Sequence, residues 1–363
     1  MRRLGKIVSQ LSAARRAMQA VSANDDGRLT PLEDFGANPG ELDAFVYSPT
    51  DTPTGLVVVL HGCTQTAAGY DKGSGWSEWA DRHGFAVLFP QQRRSNNANL
   101  CFNWYQPGDA RRGRGEASSI GQLVQHMAGR YQLDSSRVFV TGLSAGGAMT
   151  AVMLATYPEL FAGGAVIAGL PFASANTLNE ALERMRGQGS PSKGVLAARL
   201  KAAAEHGRHT PSLSVWHGTS DNIVDPSNAS ALVDQWRGLH GLGAQPGVVE
   251  LVDGHRREAW LDGKGSVLVE RYDVAGMGHG TPLDTRQGEP CGTPGPHMLD
   301  VGICSTAYMA RSWGLVTESA VEREIPATPR PIGPAISHPR SSPGLNGPGA
   351  VIEDALRAAG LMR

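Results

Sequence analysis

The pentapeptide Gly142-Leu143-Ser144-Ala145-Gly146 stands between an apolar run at 138–141 and a helix-forming segment that opens at Ala145. A serine at such a strand-to-helix elbow is held in a strained backbone conformation that lifts its hydroxyl above the sheet. The positions two before and two after must then be nearly free of side chain. Gly142 and Gly146 meet that requirement, and Gly147 adds room for close helix–strand packing. The chemistry this points to is acyl transfer with Ser144 as nucleophile. The bland alternative is a Gly-rich turn with a spectator serine, and the strand and helix on either side count against it.

A serine hydroxyl is a poor nucleophile at neutral pH and needs a base, and in this architecture the partners follow in the chain order Ser, acid, His. Candidate bases after Ser144 are His217, His240, His255, His279, His297 and His338. His217 precedes the best acid, His240 ends a helical segment, His255 adjoins the Asp253–Gly254 turn and His338 lies in a Pro-rich stretch. His279 stands in Gly276-Met277-Gly278-His279-Gly280, directly after the apolar run Val267–Val274, where the glycines let a loop carry an imidazole over the serine. His297, between Pro296 and Met298, is the weaker competitor and reads as packed.

Asp221 follows the apolar run 213–216 and is the expected acid, accepting the histidine's other N–H, fixing its tautomer and stabilising the imidazolium. Asp225 is the alternative, better placed to cap the helix that carries Leu232 and Trp236. Charge on a tetrahedral oxygen requires two backbone N–H groups aimed at one point. One is expected from Ala145. The other is expected from Cys63, with Thr64 as alternative, in the loop His61-Gly62-Cys63-Thr64-Gln65; His61 reads as an organiser of that loop.

These residues need a sheet to hold them. From about Gly55 the chain alternates short apolar runs with helix-period segments, the rhythm of βαβ units and a mostly parallel sheet. Strands are expected at Leu56–Leu60, 86–89, 138–141, 165–168, 213–216, Val248–Val252 and Val267–Val274. A helix face recurs at Ile120, Leu123, Val124, Met127 and Tyr131 after the candidate caps Ser118 and Ser119. Another helix runs from Ala145 to Tyr157, where Pro158 stops it. Residues 174–210 interrupt the strand rhythm and read as a helical insertion. Residues 1–33 read as a helical lead, 34–315 as the catalytic unit and 316–363 as a Pro-rich tail with a short terminal helix.

Composition narrows the function classes. The 363 residues are 40% hydrophobic and 18% charged, enough for a sizeable core. A net charge of −1 removes the electrostatic argument for a nucleic-acid partner. No apolar stretch approaches the length of a membrane span. The basic N-terminus lacks the unbroken apolar run of a standard secretory signal, whereas the even set Cys63, Cys101, Cys291 and Cys304, with no C-x-x-C pair, suits an oxidising compartment. The location therefore stays open on these residues.

Further motifs bring a family into view. Leu60-His61-Gly62-Cys63-Thr64-Gln65 is followed by Cys101-Phe102-Asn103-Trp104, Pro107-Gly108-Asp109, Arg114-Gly115-Glu116, the Ser144 elbow with Gly147, and Asp300-Val301-Gly302-Ile303. In this order they make the chain resemble, over about 56–315, the polyhydroxybutyrate depolymerase family of esterases, α/β-hydrolases related to feruloyl and acetylxylan esterases. The resemblance implies the α/β-hydrolase fold, with a mostly parallel central sheet flanked by helices. It implies a serine esterase with no metal or organic cofactor, acting through an acyl-enzyme on a polyester, an oligomer or a small ester. It suggests the pairs Cys63–Cys101 and Cys291–Cys304, and an extracellular or periplasmic setting. No polymer-binding domain is recognisable after the catalytic unit, which favours short, soluble or amorphous esters. Trp104 and Tyr105, with Trp76 and Trp79, are candidates to line an apolar acyl or aromatic pocket. Feruloyl or acetylxylan esters are the alternative substrates, and a non-catalytic binding protein on a hydrolase scaffold is the rival from another class.

Overall fold

The computed structural model describes residues 27–204, 209–286, 288, 289 and 291–316; most of the expected N-terminal lead and nearly all of the Pro-rich tail lie outside them. Along the chain come β1 (Thr30–Pro31), β2 (Asp43–Tyr47), β3 (Leu56–Leu60), α1 (Ala67–Ser74), α2 (Trp76–His83) and β4 (Ala86–Gln91). Then come α3 (Gly115–Tyr131), β5 (Val138–Leu143), α4 (Ala145–Thr156), β6 (Gly163–Ile167), α5 (Leu178–Met185), α6 (Lys193–Ala204), β7 (Ser212–Gly218) and α7 (Ser227–His240). The C-terminal part holds β8 (Val248–Val252), β9 (His255–Leu261), β10 (Val267–Val274), β11 (Thr281–Leu283), β12 (Met298–Asp300) and α8 (Ser305–Ser312).

Ten strands form one sheet in the order β1-β2-β4-β3-β5-β6-β7-β10-β9-β8. The six central strands, β4 to β10, pair in parallel, while β1, β2, β8 and β9 join antiparallel at the margins. Leu56–Leu60 and Val138–Leu143 are buried at every position, as strands covered on both faces must be. Strand register aligns the strand ends: Leu60 lies opposite Gly142, Leu143 opposite Ile167, Ile167 opposite Trp216, and Gly218 opposite Val274. The carboxyl ends of five neighbouring strands thus share one edge, and the loops bearing Cys63, Ser144, Asp221 and His279 all leave from it.

Several elements differ from the sequence expectation. The helix expected to follow caps at Ser118 and Ser119 begins earlier, at Gly115, and both serines are buried inside it. The Ser119 hydroxyl accepts the Gly40 N–H at 2.8 Å, so it serves a tertiary contact rather than a helix end. The sheet begins at Thr30, upstream of the expected boundary at 34. His255–Leu261 is a strand absent from the sequence expectation; its Arg257 pairs with Glu250 on β8 and Glu270 on β10. The 174–210 segment contributes α5 and α6.

Candidate active site

Ser144 has φ 57° and ψ −117°, a conformation ordinary side chains avoid, and it sits directly before the buried helix α4. A Cβ on Gly146 would come within 2.2 Å of the Leu60 carbonyl oxygen and 2.5 Å of that of His61; one on Gly142 would meet the Gly146 backbone at 2.6 Å. The elbow is therefore pressed against the end of β3, and only hydrogen fits between them. Replacing Gly146 with Ala is expected to cost about 3 kcal/mol, read as a lower denaturation midpoint together with lost activity. An unchanged midpoint would contradict the close approach.

Asp221 and His279 meet directly. The His279 Nδ1–H donates to Asp221 Oδ2 at 2.7 Å, which leaves Nε2 carrying the lone pair. Their loops are fastened together: Thr219 N–H donates to the Val274 carbonyl and Ser220 N–H to that of Met277, each at 3.0 Å, and the Thr219 hydroxyl accepts from Gly276 N–H at 2.8 Å. Gly218 is required for this, since a Cβ there would lie 2.2 Å from the Met277 carbonyl oxygen. The other oxygen of Asp221 accepts the N–H groups of Ile223 and Val224, both at 2.9 Å. Burial pushes this carboxyl up, but the donors His217 and His279 outweigh it, and it titrates well below the usual carboxylate range. Ser144 reaches the same edge, two strands from Asp221, and its hydroxyl has no hydrogen bond to His279; such bonds commonly close only when substrate binds.

Three further histidines near the site act as fasteners. His217, set aside because it precedes the acid, is buried with Nε2 3.4 Å from Asp221 Oδ2 and donating to the Val224 carbonyl at 2.8 Å. Its Nδ1 is buried without a partner. The four-residue spacing across a turn at the end of β7 was the available signal. His297 Nδ1–H donates to the His279 carbonyl at 3.0 Å, and its ring stands edge-on to that of His279 at 5.7 Å. His255 accepts from Ala275 N–H at 3.0 Å and donates to the Val301 carbonyl at 3.1 Å. Asp225 accepts the Ser227 N–H at 2.9 Å, at the start of α7.

The loop after β3 is fixed peptide by peptide. Burial pushes the His61 imidazole down to about 4, so it is neutral near pH 7. Its Nδ1–H donates to the Gly62 carbonyl at 2.8 Å, and Nε2 accepts the Gln92 N–H at 3.1 Å. In a trans peptide the C=O and the next N–H point opposite ways, so holding the Gly62 carbonyl orients the Cys63 N–H. The Thr64 N–H, the alternative, donates to the Asn99 carbonyl at 2.7 Å. Ala145 opens α4, where the first N–H groups have no carbonyl of their own helix to serve.

Cys63 is bonded to Cys101, and Cys291 to Cys304, the pairing suggested by the family resemblance. The first bond ties the Cys63 loop to the segment carrying Trp104. That segment rests on buried Glu116, whose carboxyl accepts from Asn103 N–H at 2.8 Å, Asn103 Nδ2 at 2.7 Å and Gln92 Nε2 at 2.5 Å. Burial pushes Glu116 up to about 8 from its ordinary value of 4.5. The folded chain then keeps a proton that the unfolded chain loses, so this group favours folding below about 4.5, and that contribution fades as pH rises through about 8. Relative to the native chain, Glu116→Gln should melt progressively higher as pH increases from 5 to 9. A constant difference would contradict this.

Trp104 and Tyr105 line a cavity of about 550 Å³, together with Phe172, Thr156 and residues of α6; Ser144, Asp221 and His279 do not line it. Trp76 and Trp79, the other aromatic candidates, are core residues with 1% exposure each; Trp76 stacks on Trp313 and Trp79 lies under Arg311. Among the described residues no cluster of His, Cys, Asp or Glu is arranged to hold a metal ion, and no helix is long and apolar enough to cross a membrane.

Comparison with known proteins adds four findings. The family described as esterase PHB depolymerase matches residues 47–259. Over 305 residues the chain is 44% identical to poly(3-hydroxyalkanoate) depolymerase C of Paucimonas lemoignei, covering 82% of this chain and 72% of that protein. It is 34% identical to acetylxylan esterase A of Aspergillus oryzae over 59% of this chain and 72% of that one. The solved acetyl xylan esterase from Aspergillus awamori superposes with a TM-score of 0.67 at 25% identity, covering 79% of this chain and 99% of that structure.

Proposed function

The chain belongs to the esterase PHB depolymerase family of α/β-hydrolases and is a carboxylic ester hydrolase, and from that premise we propose that Ser144, His279 and Asp221 carry the reaction. The observation that carries this reading is the 2.7 Å bond from His279 Nδ1 to a buried, ionised Asp221, on the edge from which the Ser144 elbow also rises.

With Nδ1–H committed to Asp221, Nε2 is the base. It takes the Ser144 proton as Oγ bonds to the ester carbonyl carbon, and the N–H groups of Ala145 and Cys63 hold the oxygen that becomes negative. The imidazolium then protonates the leaving alcohol as the C–O bond breaks, leaving an acyl-Ser144. Water, deprotonated by His279, attacks that acyl group and releases the acid. Asp221 stays ionised throughout, as its two backbone donors and His217 favour. We take residues 34–315 as the catalytic unit, with β1 pairing on β2 just upstream of its start.

For substrate we infer aliphatic hydroxyalkanoate polyesters or their short oligomers, on the 44% identity to poly(3-hydroxyalkanoate) depolymerase C. Plant cell-wall esters are the second reading, favoured by the likeness to acetylxylan esterases. A side-by-side panel of hydroxybutyrate oligomers, amorphous polyhydroxybutyrate, methyl ferulate and acetylated xylan tests it. The expected result is the largest kcat/KM on the hydroxybutyrate oligomers. A larger value on ferulate or acetylated xylan would overturn the assignment.

A further inference from the structure

The cavity beside Trp104 has an unusual charge for an enzyme of neutral polyesters. Its walls are apolar and aromatic, from Trp104, Tyr105 and Phe172, yet the charged residues in its lining are Arg111, Arg112 and Arg199. One of these is partly neutralised: Arg112 donates to Glu159 at 2.6 Å and to the Thr156 carbonyl at 2.8 Å. Arg199 donates to the Ala173 carbonyl at 2.6 Å, and neither it nor Arg111 is paired with a carboxylate among the described residues. A guanidinium at an apolar wall favours a planar, singly charged anion, which it can grip with two parallel N–H bonds.

Position gives this charge a use. Trp104 is tethered through Cys101–Cys63 to the oxyanion loop, and Phe172 lies five residues past the end of β6, the strand next to the Ser144 strand. At the other extreme the lining includes Thr156, the last residue of α4, a helix that starts directly after Ser144 and is about 18 Å long. Of α4 only this last residue lines the cavity, which therefore sits by the end of the helix far from the nucleophile, at a distance suited to the far end of a linear substrate.

Resting on the Ser144 reading, we propose that this cavity is a subsite for the carboxylate end of an oligo(hydroxyalkanoate) chain. Each such chain ends in one carboxylate, and the rest of it is neutral ester. With the carboxylate held by Arg111 and Arg199, the scissile ester at Ser144 lies upstream of it. The part of the substrate in the cavity is then the leaving alcohol. Ser144 Oγ bonds to the carbonyl carbon, the ester C–O bond breaks, and the departing oxygen takes the proton from His279. A hydroxy acid leaves with its carboxylate still in the cavity, and the remaining chain stays on the serine until water releases it. Cleavage thus proceeds from the carboxyl end.

The test compares a hydroxybutyrate trimer as free acid with its methyl ester, using the full-length enzyme. The expected result is a kcat/KM about tenfold higher for the acid at low salt, residing in KM, with the ratio falling toward one in 0.5 M NaCl. Arg111→Gln, which removes a guanidinium that makes no side-chain hydrogen bond among the described residues, should cut the ratio several-fold; Arg111→Lys should keep part of it. Equal kcat/KM for acid and methyl ester in the native enzyme would overturn the subsite while leaving the Ser144 reading intact. A Ser144→Ala protein that still cleaved both would overturn that reading instead.

Discussion

Ser144→Ala is expected to lower kcat for a p-nitrophenyl short-chain ester on the order of a million-fold while the melting temperature stays within a degree or two of the native value. The size of the loss comes from the mechanism: without Oγ no acyl-enzyme forms, and the oxyanion donors and His279 can assist only direct attack by water. Stability should survive because Ala occupies the same backbone angles as Ser and the elbow's contacts are made by Gly142, Gly146 and the backbone of β3. The Ser144 N–H to Ile167 carbonyl bond, at 2.9 Å, is also retained. Activity within a hundredfold of native would remove Ser144 from the account.

Asp221→Asn should reduce kcat by about 10⁴-fold with a smaller change in KM. An amide turned to satisfy the Ile223 and Val224 N–H groups presents NH2 to His279, which then must offer its lone pair at Nδ1 and its proton toward the serine, the wrong tautomer for a base. The same substitution has a pH signature. The native carboxyl titrates below its unfolded value of 3.8, so its stabilising contribution is complete above that pH and is lost as pH falls through the folded value. The melting difference between native protein and Asp221→Asn should be greatest near neutrality and narrow in strong acid. A difference that grows in acid would mean that Asp221 is not held ionised by its neighbours.

Much of this arrangement was legible in the chain itself because its signals are local. Three of the parallel strands, β3, β5 and β6, are compact runs buried at every position, and the elbow is a contiguous motif at whose glycines an added Cβ would meet backbone within 3 Å. Chain order then pruned the candidate acid and base to Asp221 and His279, whose side chains lie 2.7 Å apart. What escaped was whatever depends on a distant partner. β9 is polar because Arg257 pairs with Glu250 on β8 and Glu270 on β10, so its sequence lacks an apolar run. Ser118 and Ser119 resembled caps because nothing local shows that Gly40 donates to Ser119. His217 was excluded by a rule about chain order that governs the base but says nothing about a second imidazole against the acid. Similarly, Glu116 stood inside a recognisable motif, yet its task of carrying the Asn103–Trp104 segment emerges only when Gln92 and Asn103 converge on it.

The central claim is that one serine among many is made reactive by its place at this edge. Treating the full-length enzyme with a fluorophosphonate at neutral pH and mapping the adduct by peptide mass spectrometry tests it most directly. The predicted result is a single adduct on Ser144, with loss of activity in step with labelling, and far slower labelling of Asp221→Asn. Inactivation with the adduct on a different residue, or full activity in a protein modified at Ser144, would contradict it.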